Sequence, residues 1–253
     1  MQYIASFSGG KDSTAMVLML LEKKEPLDRV VFIDTGLELP EMYEYINKCE
    51  KRFKELDPKL KFDRVKAEKG FEEWFYTEKK RGKNKGQIYG WPFTAAFNSW
   101  CNDRLKQRPF RTYEKQLKEQ GEYIIYLGIA ADEPRRLAKL EANRKAPLAE
   151  WGMTETNCLD FLKERDLYNP LYDRFKRTGC YLCPKQNLKA LRTLRKYYPE
   201  QWKRMLELDK DSIVTFRANG KTLHDLEEKF KKEDSRWLLG LIYKDTKYPK
   251  AKG

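Results

Sequence analysis

The chain has one histidine in 253 residues, His224, and that scarcity removes two classes of chemistry at once. Neither a histidine-built zinc site nor a Ser-His-Asp triad can be assembled from it. Its setting, Thr222-Leu223-His224-Asp225-Leu226, is that of a surface or half-buried helical residue. Cysteine is sparse too. The five, Cys49, Cys101, Cys158, Cys180 and Cys183, include a single CxxC pair, and structural disulfides are not expected of a cytosolic chain. No apolar run approaches the length of a membrane span, and there are no internal repeats. The N-terminus enters an apolar strand pattern directly, so no signal peptide is expected, and a cytoplasmic location is.

What is present is a core-forming chain with a strong charge bias. Hydrophobic residues make up 40% and charged residues 36%, as in a globular protein, and 52 basic against 39 acidic residues leave a net charge of +13. That excess favours an anionic partner. Nucleotide phosphates need only a few such charges, so the surplus points to nucleic acid, with DNA and tRNA as the candidates. Many basic proteins bind neither.

One stretch organises the rest. Ser6-Phe7-Ser8-Gly9-Gly10-Lys11-Asp12-Ser13 follows the apolar Tyr3-Ile4-Ala5 and precedes an apolar helical run from Thr14 to Leu21. It reads as strand, glycine loop and helix. Paired glycines let backbone approach a ligand, and a helix starting at Asp12 or Ser13 aims its unpaired N–H groups and positive dipole end into the loop. With a lysine and three hydroxyls this is a phosphate cradle. The adjacent glycines distinguish it from GxxxxGK[ST]. An ordinary strand-to-helix turn capped by Ser13 is the plainer reading.

Further strands are expected at Arg29–Ile33, Phe62–Lys66 and Tyr123–Ile129. A helix from Pro40 to about Leu56 puts Met42, Tyr45, Ile46, Cys49 and Phe53 on one face, which makes Cys49 a core residue. Trp100 to Leu117 is helical in part, interrupted at Pro109. This alternation argues for a parallel α/β sheet with crossover helices. Three polar clusters then fall beyond the carboxyl ends of strands, where such sheets bind ligands: the glycine loop, Asp34 to Glu41, and Asp132 to Arg136. Between them, Lys79-Lys80-Arg81-Gly82-Lys83-Asn84-Lys85-Gly86 is a basic loop. It reads as a flap, a nucleic-acid contact or a solvated excursion. After Ala146 the pattern turns helical. Thr154 opens one helix, Asn187 to Leu208 forms another broken at Pro199, and a tail carries Leu223, Leu226, Phe230, Trp237, Leu238 and Leu241 before a frayed lysine-rich end. The expected division is a nucleotide-binding α/β domain over 1–145 and a helical region over 146–253.

The motif Ser6 to Ser13 resembles the SxGGxDS signature of the PP-loop ATP-pyrophosphatase superfamily. Asp34 to Glu41, Trp100 to Lys106, Gly128 to Glu133 with Arg135-Arg136, and Arg177 to Pro184 are similar to further motifs of its phosphoadenosine-phosphosulfate (PAPS) reductase branch, in the same order. The resemblance implies a Rossmann-like, HUP-type sheet binding an adenine nucleotide, ATP or a PAPS-like molecule. Carried onto this sequence, it implies nucleotide contacts from Ser6, Ser8, Gly9, Gly10, Lys11, Asp12, Ser13, Asp34, Thr35, Gly36, Glu38, Gly128, Asp132 and Glu133. Lys11, Asp12, Asp34, Arg135 and Arg136 are the candidate catalytic residues. A Mg²⁺ ion on the phosphates has Asp12 or Asp34 as its candidate ligand. Arg135 and Arg136 either grip an oxyanion by forked hydrogen bonds or pair with Glu133 at the surface.

With Cys49 in the core, Cys101, Cys158, Cys180 and Cys183 remain as a four-thiolate set for Zn²⁺ or a [4Fe–4S] cluster. The resemblance favours the cluster, since sulfur-handling members of the branch hold one near the nucleotide. Cys158 is either the fourth ligand or packed in an apolar helix face. PAPS reductases also use a C-terminal cysteine to attack sulfate, and no cysteine follows Cys183. The expected activity is therefore cleavage of ATP to AMP and pyrophosphate to activate a substrate, as in a sulfurtransferase acting on nucleic acid with a sulfur donor or partner protein. Two alternatives stay open: a PAPS or adenylyl-sulfate reductase using a partner's thiols, and a non-catalytic nucleotide-binding module of a phage or defence system.

Overall fold

A computed structural model describes residues 1–92 and 99–247, with side chains through Ser235. It divides into two compact units interleaved along the chain: Met1–Trp74 with Trp100–Tyr181, and Phe75–Ser99 with Leu182–Gly253.

The first unit is a five-stranded, all-parallel sheet flanked by helices. In chain order it runs β1 (Gln2–Phe7), α1 (Lys11–Glu22), β2 (Arg29–Asp34), α2 (Pro40–Leu56), β3 (Lys61–Lys66) and the short α3 (Phe71–Phe75, ending at the boundary). It resumes with α4 (Trp100–Asn102), α5 (Arg108–Glu119), β4 (Tyr123–Leu127), α6 (Pro134–Leu137), β5 (Arg144–Lys145), α7 (Pro147–Glu150) and α8 (Glu155–Glu164). The strand order is β3-β2-β1-β4-β5. After β3 the chain therefore crosses to the far side of β1, and the crevice beyond β1 and β4 is the topological switch point where such sheets take ligands.

β1, β2 and β4 are short and largely apolar, as strands covered on both faces are. Ile4, Val31 and Ile125 pack with Leu117 of α5, joined by Phe110 and Tyr113. Phe7 points to the opposite face and meets Phe53 of α2 edge-on, ring centroids 5.7 Å apart. The five apolar residues expected on α2 are all buried. The α-helical bonding expected to break at Pro109 breaks just before it, in a π-helical stretch at Asp103–Gln107, while the backbone stays helical through Gln107 and Arg108 into α5.

The second unit holds α9 (Leu188–Tyr197), α10 (Pro199–Asp211) and α11 (Leu223–Lys247). Asn187 and the Tyr198-Pro199 break fall where expected. Its core includes Trp91, Trp202, Met205, Phe216 and Phe230. Buried Asp209 ties it together, accepting from Trp91 Nε1 at 2.8 Å and from the Leu223 and His224 amides at 2.8 and 3.2 Å. The side chains of Trp237, Leu238 and Leu241, and the lysine-rich end beyond 247, lie outside the described residues. Among the described residues no helix is long and apolar enough to cross a membrane.

Candidate functional site

β1 ends at Phe7, and four residues later α1 begins, so the glycine loop is a tight strand-to-helix turn at the switch point. Gly9 adopts φ +72°, and a Cβ there would come within 2.7 Å of Met42 Sδ. Only glycine fits. The hydroxyls are structural girders of the turn. Ser13 Oγ accepts from the Ser8 amide at 3.1 Å, Ser8 Oγ accepts from the Gly10 amide at 3.3 Å, and Thr14 Oγ1 donates to the Gly10 carbonyl at 2.9 Å. Ser6 lies within β1 itself, in register with Val31 and Leu127. Gly128 closes the turn from the β4 side: a Cβ on it would sit 2.8 Å from the backbone N and Cα of Ser13.

Residues beyond α8 complete the loop. The Lys11 amide donates to Tyr172 Oη at 2.9 Å, and buried Asn169 donates through Nδ2 to the Gly9 carbonyl at 3.3 Å. Lys11 Nζ lies between two carboxylates, Asp12 at 2.8 Å and Glu155 at 2.6 Å. Burial works against its charge, yet hydrogen bonds to Asp12 and Glu155 outweigh it and raise the ammonium's pKa. Asp12 is pushed up as well, by burial first, with Glu155 and Glu133 adding repulsion that Lys11 does not cancel. The start of α1 thus carries surplus negative charge, a setting that a cation arriving with a phosphate would relieve.

The Asp34 turn is more fully satisfied. Asp34 Oδ1 accepts from the Gly36 amide and from Tyr43 Oη, both at 2.9 Å, and Lys66 Nζ lies 3.0 Å from Oδ2. Burial opposes the charge, but these partners win and hold the carboxyl below its ordinary range. Thr35 Oγ1 accepts from the Leu37 amide and donates to Glu38, whose pKa is raised by burial against the pull of Lys106. Gly36 takes φ +73° at the exposed apex. In the third cluster Asp132 accepts from the Glu155 amide at 3.1 Å, and Glu133 accepts from Arg136 at 2.8 Å. Arg136 is therefore in the surface pair with Glu133. Arg135 is exposed and makes no ion pair among the described residues.

These positions match a family. Residues 2–186 fit the phosphoadenosine phosphosulfate reductase domain. The chain belongs to the PAPS reductase family. An uncharacterised protein of Methanocaldococcus jannaschii is 30% identical over 227 residues, covering 83% of this chain and 49% of that protein. The chain spans about half the length of the curated relatives it matches first. An adenosine 5'-phosphosulfate reductase of Geobacillus kaustophilus is 24% identical over 176 residues, covering 66% of this chain and 67% of that one. Among solved structures, a phosphoadenylyl-sulfate reductase of Candida auris in a phosphate complex covers 72% of this chain and 82% of its own, with 19% identity and a TM-score of 0.49.

Cys101, Cys158, Cys180 and Cys183 are the cysteines expected to hold a metal. Among the described residues no three His, Cys, Asp or Glu side chains converge as metal ligands. Cys158 is fully buried on α8, and its thiol faces Asp12. Burial, then the Asp12 charge, pushes it up to about 12. A metal at Cys158 would have to displace that proton, since only the thiolate coordinates. Cys101, on α4, and Cys180 and Cys183, in the loop before α9, are half-buried. Cys49 is buried in α2, as expected.

Two contacts on Lys11 escaped sequence reasoning, Glu155 and Tyr172. The one available signal was Thr154, whose side chain forms a capping box with Asn157 and so fixes Glu155 at the first turn of α8.

Proposed function

We propose that the Ser8–Ser13 loop binds the phosphates of an adenine nucleotide and that the protein splits ATP between its α- and β-phosphates. The observation that carries this is Lys11 and the N-terminus of α1, brought together beyond β1 and β4. Loop amides and the helix dipole favour the anion, while Lys11 exchanges its carboxylates for phosphate oxygens and meets charge developing on the leaving pyrophosphate. A bound Mg²⁺ would neutralise phosphate charge, and Asp12 is the carboxylate placed to hold it. Asp34, with both oxygens engaged, orients its turn instead. Exposed Arg135 is positioned to meet a substrate oxyanion. AMP passes to a substrate oxygen, and a sulfur nucleophile then displaces it. On this reading the acceptor is nucleic acid, in keeping with the net positive charge. Pyrophosphate release from ATP in the presence of Mg²⁺ and a candidate acceptor tests the reading, and a protein that binds ATP without releasing pyrophosphate would overturn it.

The likeness to an adenosine 5'-phosphosulfate reductase supports a second reading, reduction of an adenylated sulfate with thiols supplied by a partner. Sulfite release from adenylyl sulfate or PAPS with added thioredoxin separates the two.

A further inference from the structure

Of the 52 basic and 39 acidic residues, 29 and 28 lie in the first unit, leaving 23 and 11 in the second. Almost the whole net charge therefore belongs to the unit without the phosphate loop. Its densest part is built, not loose. Residues 75–90 form an antiparallel hairpin, with Gly90 donating to Phe75, Tyr89 to Thr77, Lys79 to Gln87 and Gly86 to Lys79, at 2.8–3.0 Å. Its base is pinned to the end of α10. Trp91 donates through Nε1 to Asp209 and through its amide to Ser212 Oγ, Tyr76 Oη donates to Asp211 at 2.7 Å, and the Trp91 ring meets Phe216 edge-on at 5.0 Å. The tip turns at Gly82 and Gly86, both at positive φ.

That hairpin holds Lys79, Lys80, Arg81, Lys83 and Lys85, of which the last four are exposed, and none makes an ion pair among the described residues. A free coil would relieve such crowding by extending. The pinned base instead keeps five like charges on one short ribbon, at a repulsive cost that only an anion offsets. From Lys80 to Gln87 the tip carries no apolar side chain, so it has nothing to insert into lipid. Among the described side chains, the aromatic rings most open to solvent are Tyr76 and Tyr197, 41% and 49% exposed, both in this unit. Lys196 sits 5.1 Å over the second ring. Cations beside exposed aromatic faces suit phosphates and stacked bases together.

We propose that the Lys79–Lys85 hairpin is a docking surface for the phosphodiester backbone of a nucleic acid. This rests on the reading of the protein as an enzyme with a nucleic-acid acceptor and supplies its contact surface. The probes are labelled single-stranded RNA, single-stranded DNA and duplex DNA, titrated with the full chain by fluorescence anisotropy between about 50 and 200 mM salt. The parent protein binds with an affinity that falls steeply with salt. A variant combining Lys80→Gln, Arg81→Gln, Lys83→Gln and Lys85→Gln, all exposed positions, keeps its helical circular dichroism. It binds about tenfold more weakly or worse, with a salt slope smaller by about 3 to 4, as expected for four lost phosphate contacts. Which probe binds best separates RNA from DNA. No binding by the parent at low salt, an unchanged slope in the variant, or equally tight binding of polyglutamate would each overturn the proposal. Nucleotide turnover is read separately. A protein that binds oligonucleotide through the hairpin but releases no pyrophosphate would sink the reading of the loop and leave this one standing.

Discussion

The two units handle charge in opposite ways. The first is close to neutral, and its phosphate-loop cation, Lys11, is already held by Asp12 and Glu155. The second is strongly positive, and its hairpin cations make no ion pair among the described residues, Lys79 lying over the Tyr89 ring at 5.9 Å. Around Lys11 the carboxylates offset the ammonium until an anion displaces them, and breaking those pairs is part of the cost of binding. A polyanion surface works the other way, because unpaired cations set both attraction and salt dependence. The difference teaches that net charge alone, read along the whole chain, misplaces the message. The unit that holds the glycine loop contributes almost none of it.

That contrast can be broken by experiment, starting with the largest effect. Trp91→Ala removes a buried indole under the hairpin and strips Asp209 of a donor, at a cost of about 3–5 kcal/mol to the second unit. Urea unfolding followed by far-UV circular dichroism should show that loss while nucleotide binding persists. Loss of both together would mean that the units do not differ as argued. Lys11→Ala should cut pyrophosphate release about 10²–10³-fold and leave oligonucleotide affinity unchanged, as measured by a coupled assay and by anisotropy. Gly128→Ala forces a methyl onto the Ser13 backbone and should cost about 1–3 kcal/mol of stability, with nucleotide affinity reduced.

The smallest effect is a pH signature. Asp34 is held below its ordinary value of 3.8, so its contribution is present at neutral pH and lost as pH falls through and below that value. Asp34→Asn should therefore destabilise at pH 7, with the gap from the parent closing in acid. Asp12 is raised above 3.8, so its ionised form opposes folding at neutral pH. Asp12→Asn should stabilise at pH 7, a gain that fades as the pH falls. Thermal melts across the acid range read both signs, and matching signs would contradict the electrostatic contrast between the two carboxylates.

Much of the fold was legible because it follows local rules. Continuous apolar runs marked β1, β2 and β4, and the spacing of Met42, Ile46, Cys49 and Phe53 marked α2. Strand β5 was not legible: it is two polar residues, Arg144 and Lys145, paired only by their position beside β4. The break near Pro109 was legible because proline cannot donate to a carbonyl in the preceding turn, but its form, a π-helical stretch at Asp103–Gln107, was not. In the candidate site the glycines and Lys11 announced themselves by sequence. Glu155 and Tyr172 did not, because nothing local distinguishes a carboxylate or phenol that will meet Lys11 across most of the unit. Cys158 shows the same limit of sequence reading. Spacing shows that four thiols exist, but only packing shows that α8 turns Cys158 inward against Asp12.

The hydrogen bonds from Asn169 to Gly9 and from Lys11 to Tyr172 join residues 160 and 161 positions apart. During synthesis β1 and the glycine loop emerge about 160 residues ahead of the groups that fix the loop's backbone, which come after α8. Loop closure over such a distance carries its entropic cost late. The nascent chain therefore has its strands long before it has a finished cradle. A ligand that grips the closed loop can bind only once residue 172 has been made and folded back, which makes nucleotide binding a report on completion of this unit rather than on its beginning.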